Sequence, residues 1–338
     1  MGLFSRPERA ARRDPGPALP AFVLLAGAAT AAVGALVYLA AVLSALAGDS
    51  DAAPAGTTVR ASSAGEDARG WAASAGDPTG SLQSASDAGS IERAIRAALS
   101  PAEAATTGVA VMTPDGELIG GLNADQTGYA ASTFKLAVLL EVERRVSIGT
   151  LSYDDRIAMT DEARAEDLGT LDRLPLAEDG TLSVGEALEA MITYSDNASA
   201  VLLLRLLGPA DIDATLRGIG AWETSVNDPS LPTSAADLAR VMAALVRGEG
   251  LTDAARAHAL DLLFAQEVRA GIPEALEEMP GVMRVGNKTG TWPNATRDVA
   301  WVETASGGYI LAVMTEGDWN WELVQRVARA VHEELTSR

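Results

Sequence analysis

The sequence predicts an α/β (α+β) fold: an antiparallel sheet built from both ends of the folded region, flanked by helices, plus an all-helical lobe made by the middle. Three observations predict it. Strand-like apolar segments occur near residues 109–122 and again after Met283, helical apolar spacing fills most of the chain between them, and a helical pattern closes the chain. With 338 residues, 48% of them hydrophobic, there is ample material for such a core.

Taken in order, the chain opens with residues 1–19, where Arg6, Arg9, Arg12 and Arg13 outnumber the acids. No charge follows from Pro15 through Gly48, a stretch long enough to cross a bilayer, so residues 20–47 are expected to form one uncleaved transmembrane anchor, although Ala45-Leu46-Ala47 resembles a small-residue cleavage site. The arginine-rich tail then stays cytoplasmic and the rest of the chain is extracytoplasmic, at the cell membrane. Residues 48–90, rich in Ala, Gly, Ser, Thr and Asp, read as a flexible linker. Ile91, Ile95 and Leu99 restore a helical period, which sets the catalytic domain at 91–338.

Within it, Val109 to Met112, the turn Pro114-Asp115-Gly116-Glu117 and Leu118 to Leu122 read as a hairpin. An apolar helix follows Ser132, then a polar stretch from Ser152 to Leu182. Helices are expected near Val184 to Thr193, Ala198 to Leu207, Ala235 to Val246 and Ala254 to Val268. Strands follow at Met283 to Thr291, Asp298 to Glu303 and Tyr309 to Met314, the last two joined through Ser306-Gly307-Gly308, and a helix from Trp321 to Leu335 ends the domain. There is no internal repeat.

Composition excludes several functions. A net charge of −20, on a chain whose first segment is basic, argues against binding nucleic acid. Without cysteine there is neither a disulfide framework nor a thiol nucleophile, and two histidines make a zinc site unexpected. His258 and His332 both lie in helical stretches and read as surface residues, so a Ser-His-Asp triad is not expected. No metal and no organic cofactor is implied.

Chemistry concentrates at Ala131-Ser132-Thr133-Phe134-Lys135. A serine three residues before a lysine, opening an apolar helix, puts a nucleophile and a base on one face, with helix N–H groups to favour charge developing on the hydroxyl. The lysine census strengthens this: 24 arginines carry the positive charge, and Lys135 and Lys288 are the only lysines. Only lysine can lose its proton on desolvation and act as a base near neutrality. Downstream, in fixed order, come Ser195-Asp196-Asn197 at a helix start and Lys288-Thr289-Gly290-Thr291 in a strand.

With these motifs the sequence resembles the penicillin-recognising serine enzymes, most closely the class A β-lactamase-like serine hydrolases, from Ile91 to the carboxyl end. The flanking Met191 to Tyr194 and Arg297 to Ala300 carry the likeness further. The resemblance implies a β-lactamase/transpeptidase-like fold in which Ser132 attacks a carbonyl carbon to form an acyl-enzyme. It further implies that Lys135, in contact with Ser132, is base or relay, Ser195 passes a proton to the leaving nitrogen, and Asn197 orients Lys135 and the substrate amide. Lys288 with Thr289 would hold the substrate carboxylate, and the N–H groups of Ser132 and Thr291, beside Gly290, would form an oxyanion hole. The implied partner is a small-molecule β-lactam or a D-Ala-D-Ala-type peptide, acted on by a monomer.

The chain departs from the family after Leu216 to Gly220, where the family's Ω-loop carries a glutamate that activates water for acyl release. Here Ala221 to Pro229 leads directly to the next helix near Thr233, so roughly a dozen residues are missing. Glu223 and Asp228 are the carboxylates left in that stretch. Glu162 and Glu166 precede Ser195 and fall outside the motif order. The leading expectation is a membrane-tethered serine acyl-hydrolase acylated by β-lactams, with its deacylation glutamate missing. The alternatives are a D,D-peptidase or other penicillin-binding cell-wall hydrolase, and a non-turnover penicillin-binding sensor module.

Overall fold

The computed structural model describes residues 78–337, with side chains from residue 88 onward. The expected cytoplasmic tail, the anchor at 20–47 and linker residues 48–77 lie outside the described residues. Among the described residues no helix is long and apolar enough to cross a membrane. The first helix runs Pro78–Ala98, so it starts ahead of Ile91, where the apolar period begins.

Nine strands are formed among the described residues: β1 (Thr107–Met112), β2 (Leu118–Leu122), β3 (Gly128–Tyr129), β4 (Arg156–Ala158), β5 (Thr181–Ser183), β6 (Pro232–Thr233), β7 (Val282–Trp292), β8 (Ala295–Thr304) and β9 (Gly307–Glu316). Five of them make one antiparallel sheet in the order β2-β1-β9-β8-β7. The register Val109↔Val313 between β1 and β9 is where the two ends of the domain meet.

Alternation along the strands sorts the core into two layers. Val109, Val111, Ala300, Val302, Leu311 and Val313 face the helices Pro78–Ala98 and Trp321–Thr336, through Ile91, Ile95, Val324 and Val327. Ala110, Met112, Val299, Trp301, Ile310 and Ala312 face the helical lobe. That lobe centres on helix Lys135–Ser147, whose residues from Lys135 to Glu143 are all buried, with Val184–Thr193, Asn197–Leu207, Ala235–Arg247 and Asp253–Phe264 around it.

Two details differ from the sequence reading. β7 and β8 are longer than their apolar cores, because Pro293-Asn294 closes a two-residue turn between the paired Trp292 and Ala295. The β8–β9 turn is Ala305-Ser306, with Thr304 opposite Gly307. Gly308 lies at φ +130°, where an added Cβ would stand 2.2 Å from the Val302 carbonyl oxygen, so the glycines belong to the strand start.

Candidate active site

Ser132 stands at the seam between the lobe and the sheet edge. It lies in a 3₁₀ turn, Ala131–Phe134, that runs straight into helix Lys135–Ser147. Ala131 is held at φ 47°, a left-handed conformation that costs a residue with a Cβ about 1 kcal/mol or more. The turn is secured from both sides: Thr133 Oγ1 donates to the Ala130 carbonyl at 2.6 Å, and the Ala130 N–H donates to Leu231 O at 2.8 Å. β7 presses against it. A Cβ at Gly290 would lie 2.9 Å from Ala130 O, 3.0 Å from Thr133 N and 3.1 Å from Ser132 N, so only glycine lets the strand approach this closely.

Lys135 is fully buried and its ammonium nitrogen has three partners: Ser195 O at 2.6 Å, Asn197 Oδ1 at 2.7 Å and Ser195 Oγ at 3.2 Å. The direct contact with Ser132 expected from the sequence is not among them; the lysine is drawn instead to the oxygens of the second motif. Lys288, also fully buried, reaches Ser195 Oγ at 3.0 Å and Thr289 O at 2.8 Å. One hydroxyl therefore sits between two amines. Ser195 itself is held at φ 63°, a second strained residue at the site.

Neither amine has a carboxylate against it. Burial, then the Lys288 charge, drive Lys135 well below the usual lysine range, against the pull of Asp196. Burial brings Lys288 down to about 7, opposed by Asp298. Asp298 is buried too; desolvation lifts it to about 6, although Asn287 Nδ2 at 2.9 Å and the Ile272 N–H at 2.7 Å donate to it.

Asp196, between Ser195 and Asn197, has a structural duty: it caps helix Asn197–Leu207 through the Ser199 N–H at 2.6 Å and accepts Thr170 Oγ1 at 2.5 Å. Thr170 belongs to a loop wound by Asp167, whose Oδ1 accepts the N–H groups of Gly169, Thr170 and Leu171. Beside it, the Arg173 guanidinium lies 3.7 Å from the Tyr194 ring centre and pairs with Glu267 at 2.5 Å. At the other side Trp292, next to Thr291, meets Tyr129 edge-on at 5.7 Å.

The structure thus brings Ser195, Asn197, Lys135 and Lys288 into one hydrogen-bonded cluster and sets Gly290 of β7 against the Ser132 turn, with Thr289 and Thr291 on either side of it in the strand. Glu166, set aside in the sequence because it precedes Ser195, is buried with no hydrogen bond or ion pair from its carboxyl to another described residue. It is 95% buried at the end of the short helix Asp161–Ala165, while its neighbour Glu162 is spent on Arg205. The histidine reading needs a correction: His332 is buried, with Nδ1 3.0 Å from the Tyr309 hydroxyl, and His258 is half-buried, 2.7 Å from Glu143. Both anchor packing away from Ser132. Among the described residues no group of His, Asp and Glu is disposed to hold a metal ion.

A serine at a helix start, two buried lysines and a hydroxyl lying between them are gathered on a β-lactamase/transpeptidase-like fold. Comparison with known proteins agrees. The β-lactamase enzyme family profile matches residues 90–335, and the chain belongs to that family of serine hydrolases. It is 31% identical over 221 residues to β-lactamase FAR-1 of Nocardia farcinica, a match covering 58% of this chain and 66% of that protein, just under two thirds. Among solved structures, PBP-A, in a mutant form captured as an acyl-enzyme complex with penicillin G, superimposes with a TM-score of 0.65 at 24% identity, covering 74% of this chain and 97% of that one. An ancestral class A β-lactamase gives 0.61 at 27%, covering 73% and 98%.

Proposed function

We propose that this chain is a membrane-tethered serine acyl-hydrolase whose Ser132 is acylated by β-lactams. The observation that carries the reading is the Ser195 hydroxyl lying 3.2 Å from one buried amine and 3.0 Å from another. Of the Lys135 partners, Ser195 O and Asn197 Oδ1 can only accept. A neutral Lys135 spends its two N–H bonds on them and turns its lone pair toward Ser195. The hydroxyl then donates to Lys135 and accepts from Lys288, a proton path with one direction.

Lys135 lies one turn beyond Ser132 on the same helix face, so the Ser132 proton passes into this pair as Oγ attacks the lactam carbonyl. The C–O bond forms, the oxyanion is met by the N–H groups of Ser132 and Thr291, and the C–N bond breaks as Ser195 protonates the leaving nitrogen. Lys288 and Thr289 bind the carboxylate that accompanies the amide.

The shortened loop after Ala221 does not supply the base for acyl release. Glu223 is exposed, and Asp228 is committed to the Ser230 N–H and hydroxyl, which hold its carboxyl low. The uncharged stretch from Pro15 to Gly48 supports anchorage with the site outside the cell membrane. Intact mass spectrometry of residues 78–338 with benzylpenicillin, followed over time beside Ser132→Ala, tests the reading. A penicilloyl adduct on the wild type and none on the variant supports it; the absence of any wild-type adduct refutes it.

A further inference from the structure

Ser195 carries more of the site than its hydroxyl. Its carbonyl oxygen and its Oγ are two of the three oxygens on the Lys135 nitrogen, and the same Oγ reaches Lys288. All of this depends on a backbone held at φ 63°, in the left-handed region that a residue with a Cβ disfavours. Relaxed to the right-handed region, Ser195 would swing its carbonyl and side chain out from between the amines.

Its neighbours on both sides are held by other segments. Before it, the last carbonyls of helix Val184–Thr193 lack partners within the helix and are met by the segment that follows helix Asp253–Phe264. Gln266 Nε2 donates to Ile192 O at 2.7 Å, and the Glu267 N–H donates to Thr193 O at 2.7 Å. After it, the Asp196 N–H turns back to Ala190 O at 3.0 Å, and Thr170 Oγ1 donates to Asp196 Oδ2 at 2.5 Å.

Tyr194 is the remaining flank. The Arg173 guanidinium carbon lies 3.7 Å from its ring centre, and both terminal nitrogens donate to the Glu267 carboxylate, at 2.9 and 2.5 Å. Arg173 follows Thr170 in the loop that Asp167 winds through three N–H groups, whereas Glu267 belongs to the segment already fixed to Thr193. The pair therefore joins two anchored segments across Tyr194 and closes a ring of contacts around Ser195. Its side chains are 46% and 51% exposed, and an ion pair in that setting ordinarily adds little to global stability. What it fixes is local.

We propose that Arg173 and Glu267 are positioning residues that keep Ser195 in the left-handed conformation, with its hydroxyl between the two lysines, a role that rests on the acylation reading above. Neither side chain is hydrogen-bonded to Ser132, Lys135, Ser195 or Lys288; they act through Tyr194 and Thr193. Without the pair Tyr194 is free to turn, Ser195 returns to its preferred backbone, and the fraction of molecules with an assembled proton path falls.

The test is saturable acylation of the full-length chain by a chromogenic cephalosporin, with thermal melts alongside. The proteins compared are wild type, Arg173→Ala, Glu267→Ala, the double variant, Arg173→Lys and Arg156→Ala, the last breaking a comparably exposed pair with Glu186 on β4. Arg173→Ala and Glu267→Ala should each lower the maximal acylation rate by about tenfold, the factor by which such a residue prefers right-handed backbone. The half-saturating concentration should stay within about twofold and the melting temperature within about 2 °C. The double variant should be no slower than either single one, because each removes the same link. Arg173→Lys, which keeps the charge without the planar fork, should regain only part of the rate, and Arg156→Ala should match wild type.

A maximal rate in Arg173→Ala within about twofold of wild type overturns the assignment, and so does a loss confined to the half-saturating concentration, which would put the pair in substrate binding. A melting temperature that drops by more than about 5 °C along with the rate also overturns it, in favour of a general structural role. A wild type that is never acylated overturns both this assignment and the acylation reading.

Discussion

The two ends of helix Lys135–Ser147 treat buried charge in opposite ways. Toward the carboxyl end, Glu141 is neutralised by Arg145 at 2.7 Å and Arg144 at 3.2 Å, with Thr215 donating at 2.6 Å, and its carboxyl is held below the usual range. Glu143, wholly buried, is bound by the Tyr153 hydroxyl and by His258 at 2.7 Å. At the amino end Lys135 meets neutral oxygens and another lysine. A charge buried with its counter-ion contributes to folding and stays charged, whereas one buried without it tends to its neutral form, which for an ammonium means giving up a proton. The helix thus carries structural electrostatics at one end and reactive electrostatics at the other.

Lys135→Met breaks the contrast most severely. It removes the reactive amine but leaves an apolar side chain of similar size, so acylation by a chromogenic cephalosporin should fall by about 10⁴-fold with the melting temperature held or raised. Glu143→Ala attacks the other end. It strands Tyr153 and His258, and urea melts should show a loss of about 4 kcal/mol with acylation per folded molecule unchanged. Because Glu143 raises His258 above 6.5, that favourable pairing is complete below this value and fades as pH climbs through the raised one, so the deficit should shrink in alkali.

Much of this contrast was legible in the sequence. Both lysines stood out because arginine replaces lysine everywhere else, and the long helices and terminal strands announced themselves by period. The burial of Glu166 was hidden, because it comes about only when the short helix Asp161–Ala165 packs beside Asn197–Leu207. His332 looked like a surface residue because a polar side chain at the end of an amphipathic helix gives no sign of the Tyr309 hydroxyl that receives it. The left-handed Ala131 and Ser195 were equally silent, since neither residue type favours that conformation.

Two smaller effects sharpen the comparison. Gly290→Ala drives a Cβ into the backbone of the Ser132 turn, so it should cost about 2–3 kcal/mol in denaturant and slow acylation at least tenfold. Glu166→Gln applies the same rule to a carboxyl buried without a counter-ion elsewhere in the lobe. The folded carboxyl, at about 7, lies above its ordinary 4.5, so the wild type loses relative stability as pH rises between those values. Above that window the variant should be the more stable protein by roughly 1–2 kcal/mol, with the gain gone in acid.

The pH dependence of the acylation rate, measured by stopped flow on the wild-type domain, bears most directly on the idea that the two buried amines surrender a proton under ordinary conditions. The rate should climb to a plateau well below the ordinary lysine range, as buried Lys135 gives up its proton. A rate that stays low until the normal lysine value of 10.5 would show that Lys135 remains charged and contradict the account.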